Sequence, residues 1–253
     1  MHLEQLELVF PFDFPPSESW WAIETALVTQ NIDEESYAIN AADGRQFDRN
    51  KVQDFLRQIG AMHYGIDGRN YIFRHSACGG CNLSFIHITQ TKYARPADWD
   101  RWVEPFFQFA HELISARVLD DEYEWWQIAR DPDSYKLAGR SYEGLPMKWN
   151  NLPAPLGQYE IDISTNPGRR VLCEGYVEAL GATMWLGGLF TERTGCDLAA
   201  VEAADWLRTE WFPSGVLRIE AQRHCFQSEE GQEGELQNRL RALLFPRSHN
   251  LPL

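Results

Sequence analysis

An α+β fold of short, mainly antiparallel strands with helices packed on the sheet is what this 253-residue sequence predicts, on three observations. Strand-like and helix-like runs are interleaved and short. The strand pairings that the sequence specifies are hairpins, marked by Gly, Asn and Pro turns. Ten Trp, nine Tyr and fourteen Phe supply large apolar areas, so a sizeable core is expected without disulfide staples.

The elements follow in chain order. "LEQLELVFPF" alternates Leu6, Leu8 and Phe10 against Gln5, Glu7 and Val9, the period of two expected of a strand with one buried face. Pro15 and Pro16 stop it. Ser17 is placed to cap a helix through "SESWWAIETALVTQ", in which Trp20, Ile23, Ala26 and Leu27 recur near helical spacing. Asp48 is the next cap, ahead of Val52, Phe55, Leu56 and Ile59 at i, i+3, i+4 and i+7, with Gly60 as the stop. "AMHYGI", "NYIFRHSA" and "NLSFIHIT" read as three strands. "PADWDRWVEPFFQFAHELISA" reads as a helix opening near Asp98 and interrupted at Pro105, whose ring removes a backbone donor.

"RVLDDEYEWWQIA" then reads as a strand leading into a short helix, "DPDSYKLAG". The turn-rich "RSYEGLPMKWNNLPAPLG" reads as a long loop. It makes residues 141–157 a connection between an N-terminal α+β half, 1–140, and a C-terminal one, 158–253, either as two similar halves or within one continuous domain. "QYEIDIS" and "RRVLCEGYVEAL" read as strands, "ATMWLGGLFTERTG" as a helix, and "DLAAVEAADWLRTEW" as a helix capped by Asp197. A strand, "GVLRIEAQRH", and a helix, "EGELQNRLRALLF", close the chain.

Charge and length limit the functions available. Lys and Arg total 23 and Asp and Glu total 37, a formal charge of -14. Such a surface repels nucleic-acid phosphates and anionic lipid, so neither is expected as a partner, whereas a basic protein is attracted and oriented. The longest apolar run, Ala179 to Phe190, spans about 18 Å as a helix against a hydrocarbon core of about 30 Å. The N-terminus lacks the charged and apolar regions of a signal peptide. With five scattered cysteines, these features predict a cytoplasmic protein.

One segment invites a metal. "RHSACGGCNLSFIHI" sets Cys78 and Cys81 around Gly79 and Gly80, with His75 and His87 outside them. Strand-like flanks predict instead a two-residue hairpin with positive φ at the glycines, registering Cys78 with Cys81, His75 with Ser84 and Ile72 with His87. His75 then points away from the cysteines, and His87 lies about 20 Å along the strand from Cys81. The expectation is no metal and no cofactor. Cys173, Cys196, Cys225 and His224 are too dispersed in sequence to define a ligand set, and Cys225 or Cys173 with His224 reads more simply as a buried thiol than as a nucleophile pair.

No His-Glu-x-x-His, Walker loop, Gly-x-Ser-x-Gly elbow or dinucleotide fingerprint is present, so no catalytic residue is assigned and the chain is read as a non-enzyme. The strongest binding candidate is Asp120, Asp121, Glu122, Glu124, Trp125 and Trp126, in which carboxylates surround two adjacent rings. On a strand, Asp120, Glu122 and Glu124 share one face, and only one of the two tryptophans faces the core.

"LGATMWLGGLFTERTG", residues 180–195, and "ARVLDDEYEWWQIARDPDSY", residues 116–135, resemble immunity proteins of bacterial polymorphic-toxin and type VI secretion systems. The resemblance covers about a fifth of the chain. It implies a compact acidic α+β protein that binds a cognate toxin, a nuclease among the possibilities, and blocks its active site. The alternatives are an enzyme with a carboxylate or histidine site assembled across the fold, or a scaffold that self-associates through its tryptophans.

Overall fold

The computed structural model describes residues 3–32, 34, 37–39, 46–47, 49–59 and 63–247. Strand β1 (Glu4–Pro11) leads into helix α1 (Pro16–Thr29). After β2 (Tyr37–Ile39), β3 (Gln46–Phe47) and α2 (Arg49–Ile59), a meander of β4 (Tyr64–Asp67), β5 (Tyr71–Cys78) and β6 (Leu83–Gln90) follows. Helix α3 (Trp99–Val103) tightens at Pro105 into a 3₁₀ segment, Glu104–Phe109, before β7 (Ser115–Asp120), α4 (Asp121–Ile128) and α5 (Pro132–Leu137). Two short ribbons come next, β8 (Met147–Trp149) with β9 (Tyr159–Ile161), and β10 (Val171–Cys173) with β11 (Tyr176–Glu178). The chain ends with β12 (Thr183–Leu186), α6 (Phe190–Thr194), α7 (Leu198–Glu202), β13 (Arg208–Trp211), β14 (Leu217–Glu220) and α8 (Gly231–Leu244).

Ten strands make one sheet in the order β13-β14-β12-β7-β1-β6-β5-β4-β2-β3, with antiparallel pairings throughout. The fold is α+β. Strands from both sides of residues 141–157 share this sheet, because β12 pairs with β7.

Both faces of the sheet are covered, and this explains most departures from the sequence pattern. One face buries Leu6, Leu8, Phe10, Phe73, Ile88, Ala116 and Trp185 under Trp20, Ile23, Val52, Leu56, Trp102 and Phe106 of the N-terminal helical layer. The other buries Val9, Phe85, Met184, Leu186 and Ile219 under Phe190, Val201, Leu240 and Leu244. Each fully buried Leu, Ile or Phe contributes about 1.5–3 kcal/mol of transfer free energy, so the two cores dominate stability. A strand enclosed on both sides need not alternate polar with apolar. Hence β1 buries Glu7 and Val9 as well as Leu6 and Leu8.

The same logic corrects the reading of residues 182–195 as a helix. Met184, Trp185 and Leu186 form a central strand, and the helix begins only at Phe190. Glycines bracket the strand for steric reasons. A Cβ at Gly181 would lie 2.6 Å from the Val118 carbonyl oxygen, and one at Gly187 2.1 Å from that of Leu113. The helix capped by Asp197 is real but short, ending at Glu202, and Arg208–Trp211 is strand. Helix α1 starts from Pro15 with Pro16 in its first turn and without a side-chain cap, so Ser17 does not fill that role. Asp48 and Gly60, expected to bound α2, lie outside the described residues, while Val52 and Leu56 pack into the core as expected.

The Cys-Gly-Gly-Cys turn is wider than a two-residue hairpin. Cys78 pairs with Leu83, His75 with Ile86 and Arg74 with His87, a shift of two residues from the expected register. The positive φ falls on Asn82, at 57°, and on neither glycine. Cys81 drops into the second core, where burial pushes its thiol up to about 11.

Candidate functional site

The sequence-selected carboxylates and tryptophans lie on a helix and not on a strand. Asp120 ends β7, and its carboxylate accepts the Tyr123 backbone N–H at 2.8 Å, capping α4. Helical spacing then separates the six residues. Asp121 and Glu122 occupy the exposed first turn, where desolvation and the neighbouring Glu124 and Asp120 charges raise the Asp121 carboxyl. Glu124 turns inward to Arg117. Trp125 is 55% exposed, and Trp126 is half-buried, edge-on to Tyr135 with ring centroids 4.8 Å apart.

Glu124 belongs to a buried charge network on the second face of the sheet. Register sets Glu7 of β1 directly between His87 of β6 and Arg117 of β7. Its carboxylate takes Arg117 Nε at 2.8 Å, Arg170 Nη2 at 2.7 Å and His87 Nε2 at 3.0 Å. Burial pushes the Glu7 carboxyl up, but Arg117 and Arg170 outweigh burial and hold it well below the usual carboxylate range. Arg117 also donates to the Leu180 carbonyl at 3.0 Å, an approach that Gly181 leaves open. This network ties three strands and α4 together.

Beside the exposed side of α4 lies a cleft of 480 Å³. Trp126, Tyr123 and Tyr135 supply aromatic walls, and Asp120, Glu122, Glu229 and Glu230 supply four carboxylates. Arg140 is the cation lining it, and its guanidinium stacks over Trp126 at 4.3 Å from the ring centroid. Glu229 accepts from Gln127 Nε2, whereas Glu122 and Glu230 form no ion pair among the described residues.

Past the cleft, Leu145 leads into the β8–β9 ribbon. A small core of Ala129, Tyr135, Ile161 and Ile163 anchors it, reinforced by the Ile161 N–H to the Arg130 carbonyl at 2.8 Å. Trp149 and Tyr159 sit opposite one another in register, 45% and 65% exposed. Trp149 also lies against Gly157, where a Cβ would fall 2.6 Å from its ring. Met147, Leu152 and Leu156 are exposed nearby. The loop expected over 141–157 thus contains strand β8, while β9 falls within the expected strand "QYEIDIS"; the apolar surface of the ribbon is not among the sequence expectations. The signal was the pairing of Trp149 and Tyr159 across a Pro-rich turn.

A second cleft, of 590 Å³, is polar and holds an ion-paired cluster. Arg218 pairs with Asp100 at 2.9 Å and Glu220 at 2.8 Å, and Arg208 pairs with Glu220 at 3.3 Å. Cys225 lines it with its thiol against Glu4 at 3.7 Å, pushed up by burial and by that carboxylate, which disfavours the thiolate a nucleophile needs. Elsewhere Ser19 Oγ meets Tyr64 Oη at 2.8 Å and His75 Nδ1 at 2.9 Å inside the first core. His75 therefore faces away from Cys78 and Cys81, and burial holds its imidazole down at about 4. Among the described residues no three His, Cys, Asp or Glu side chains are grouped to hold a metal, and no helix is long and apolar enough to cross a membrane.

No family model and no curated protein matches this sequence. Among solved structures, the Pseudomonas aeruginosa T6SS protein PA0821 is similar over 96% of this chain and 73% of its own, at 12% identity and a TM-score of 0.52. The likeness shows a shared fold.

Proposed function

We propose that this chain is an immunity protein associated with a type VI secretion system, which binds a cognate toxin effector and neutralises it as a stoichiometric inhibitor. The observation that carries this reading is the exposed aromatic and aliphatic surface of the β8–β9 ribbon beside the acidic helix α4. Trp149, Tyr159, Leu152 and Leu156 spend apolar area on solvent that a free-standing fold has no use for. Rings set among carboxylates suit a basic protein partner, with the rings as anchors and the charge as the steering element.

Three further features support it. The overall charge of -14 attracts a cationic toxin such as a nuclease, whose phosphate-binding surface an acidic protein can occupy. The shared fold with a T6SS protein agrees with the system. In the 590 Å³ cleft Arg208, Arg218, Asp100 and Glu220 are paired with one another, which leaves these four groups engaged in ion pairs and favours a binding role over acid–base chemistry there. The protein acts in the cytoplasm in this reading, without cofactor or metal.

The test is co-expression with the polypeptide encoded beside it on the chromosome. The expected result is a neighbour that is toxic alone, harmless with this chain, and recovered with it as a 1:1 complex. A neighbour that is not toxic, or whose toxicity this chain leaves unchanged, contradicts the reading.

A further inference from the structure

The 480 Å³ cleft and the ribbon together define more than a generic sticky face. Asp120, α4, Arg140–Leu145 and the turn 227–230 before α8 enclose the cleft, and the same Leu145 packs with the ribbon's core. Four carboxylates and one guanidinium line the cleft, and the two carboxylates at its exposed rim, Glu122 and Glu230, give the opening a net negative charge. The aromatic wall adds a second preference. A ring face attracts a planar guanidinium, and Arg140 already exploits this by stacking on Trp126. Glu122 and Glu230, exposed at the rim, have no internal cation to satisfy them among the described residues.

We propose that this face is the docking surface for the protein partner, and that the cleft receives an arginine side chain of that partner while the ribbon's Trp149–Tyr159 pair covers an apolar neighbour of that arginine. Charge complementarity selects the occupant. A carboxylate entering the cleft would meet four of its own sign, and an aliphatic side chain would leave Glu122 and Glu230 desolvated without a partner. The two halves of the surface divide the work: the carboxylates set orientation and encounter rate, and the rings set residence time. The inference rests on the immunity reading for the identity of the partner, but the recognition chemistry is testable without it.

The experiment titrates the full-length, ¹⁵N-labelled protein with N-acetyl-argininamide and follows the indole N–H signals of its tryptophans. N-acetyl-citrullinamide, similar in shape and uncharged, is the control. The expected result is a saturable shift of the Trp126 signal with the arginine compound, at least ten-fold weaker with the citrulline compound. It weakens at least five-fold in Glu122→Gln/Glu230→Gln, while Glu192→Gln, a carboxylate on α6, leaves it unchanged. Both altered side chains are exposed, and an unchanged spectrum outside the cleft confirms that the double variant folds. Equal shifts with both compounds, no saturable shift, or equal loss in Glu192→Gln would overturn the proposal. If arginine binds as expected but the neighbouring gene's product is neither toxic nor bound, the cleft stands and the immunity reading fails.

Discussion

The sheet with its two helical layers and the outlying region from α4 to β9 treat the same residue types in opposite ways. In the sheet, charge is buried and consumed: Glu7 is 1% exposed and engages Arg117, Arg170 and His87. In the outlying region and at the turn before α8 that borders it, charge is left open at Glu122 and Glu230, and rings that would ordinarily be core stand in solvent at Trp125, Trp149 and Tyr159. The outlying core buries Ala129, Tyr135, Ile161 and Ile163, with Trp126, Tyr142 and Leu145 packed against it, and carries the two-stranded ribbon. The contrast separates stability from recognition. Changes in the sheet should cost folding free energy, and changes in the outlying region should cost binding.

The largest effect is expected where the contrast is sharpest. Arg117→Leu strands Glu7 and Glu124 without their shared guanidinium, and chemical denaturation should register a loss of about 3–5 kcal/mol. Replacing all three with apolar residues of similar volume should recover part of that loss, because Arg170, 21% exposed, is then the one guanidinium of the network left without its carboxylate. If the single variant costs under about 1 kcal/mol, the network is not what fastens α4 to the sheet.

Acidification probes the sheet in a second way. The His75 imidazole, held down at about 4 by burial, stays neutral in the folded state while the unfolded chain protonates near its ordinary value. The unfolded state therefore binds more protons between pH 6.5 and 4, and stability falls as pH falls through that window, by about 3 kcal/mol. Glu7, held low, adds a further loss only below its own ordinary range. His75→Phe should remove the upper part of this slope in denaturation curves recorded from pH 7 to 4. A flat profile in the unaltered protein would contradict the buried neutral imidazole.

Much of the fold was legible in the sequence, and the failures share a cause. The alternation of Leu6, Leu8 and Phe10, the helical spacing of Val52 and Leu56 and the break at Pro105 are local signals, and each survives in the structure. Met184–Leu186 were misread because a strand buried on both faces loses its period of two. "EYEWW" was misread because Asp120 works as a helix cap, a role its run of acidic neighbours obscured. The hairpin register slipped because Asn82, and not a glycine, takes the left-handed position. Among the candidate site residues, Asp120, Glu122 and Trp126 do line a cleft, but Glu124 is structural. Glu229 and Glu230, a hundred residues away, join only through the tertiary fold.

The smallest stability effect belongs to the ribbon, and it gives the most direct test of the central claim. Trp149→Ala/Tyr159→Ala removes two exposed rings, so denaturation should show a loss below about 1 kcal/mol. The decisive measurement is the Kd of this double variant, by calorimetry, for the toxin encoded by the neighbouring gene. A fold of the same stability that binds at least a hundred-fold more weakly is what the division between sheet and ribbon predicts. Unchanged affinity in the ribbon variant would show that the partner docks elsewhere and would contradict it.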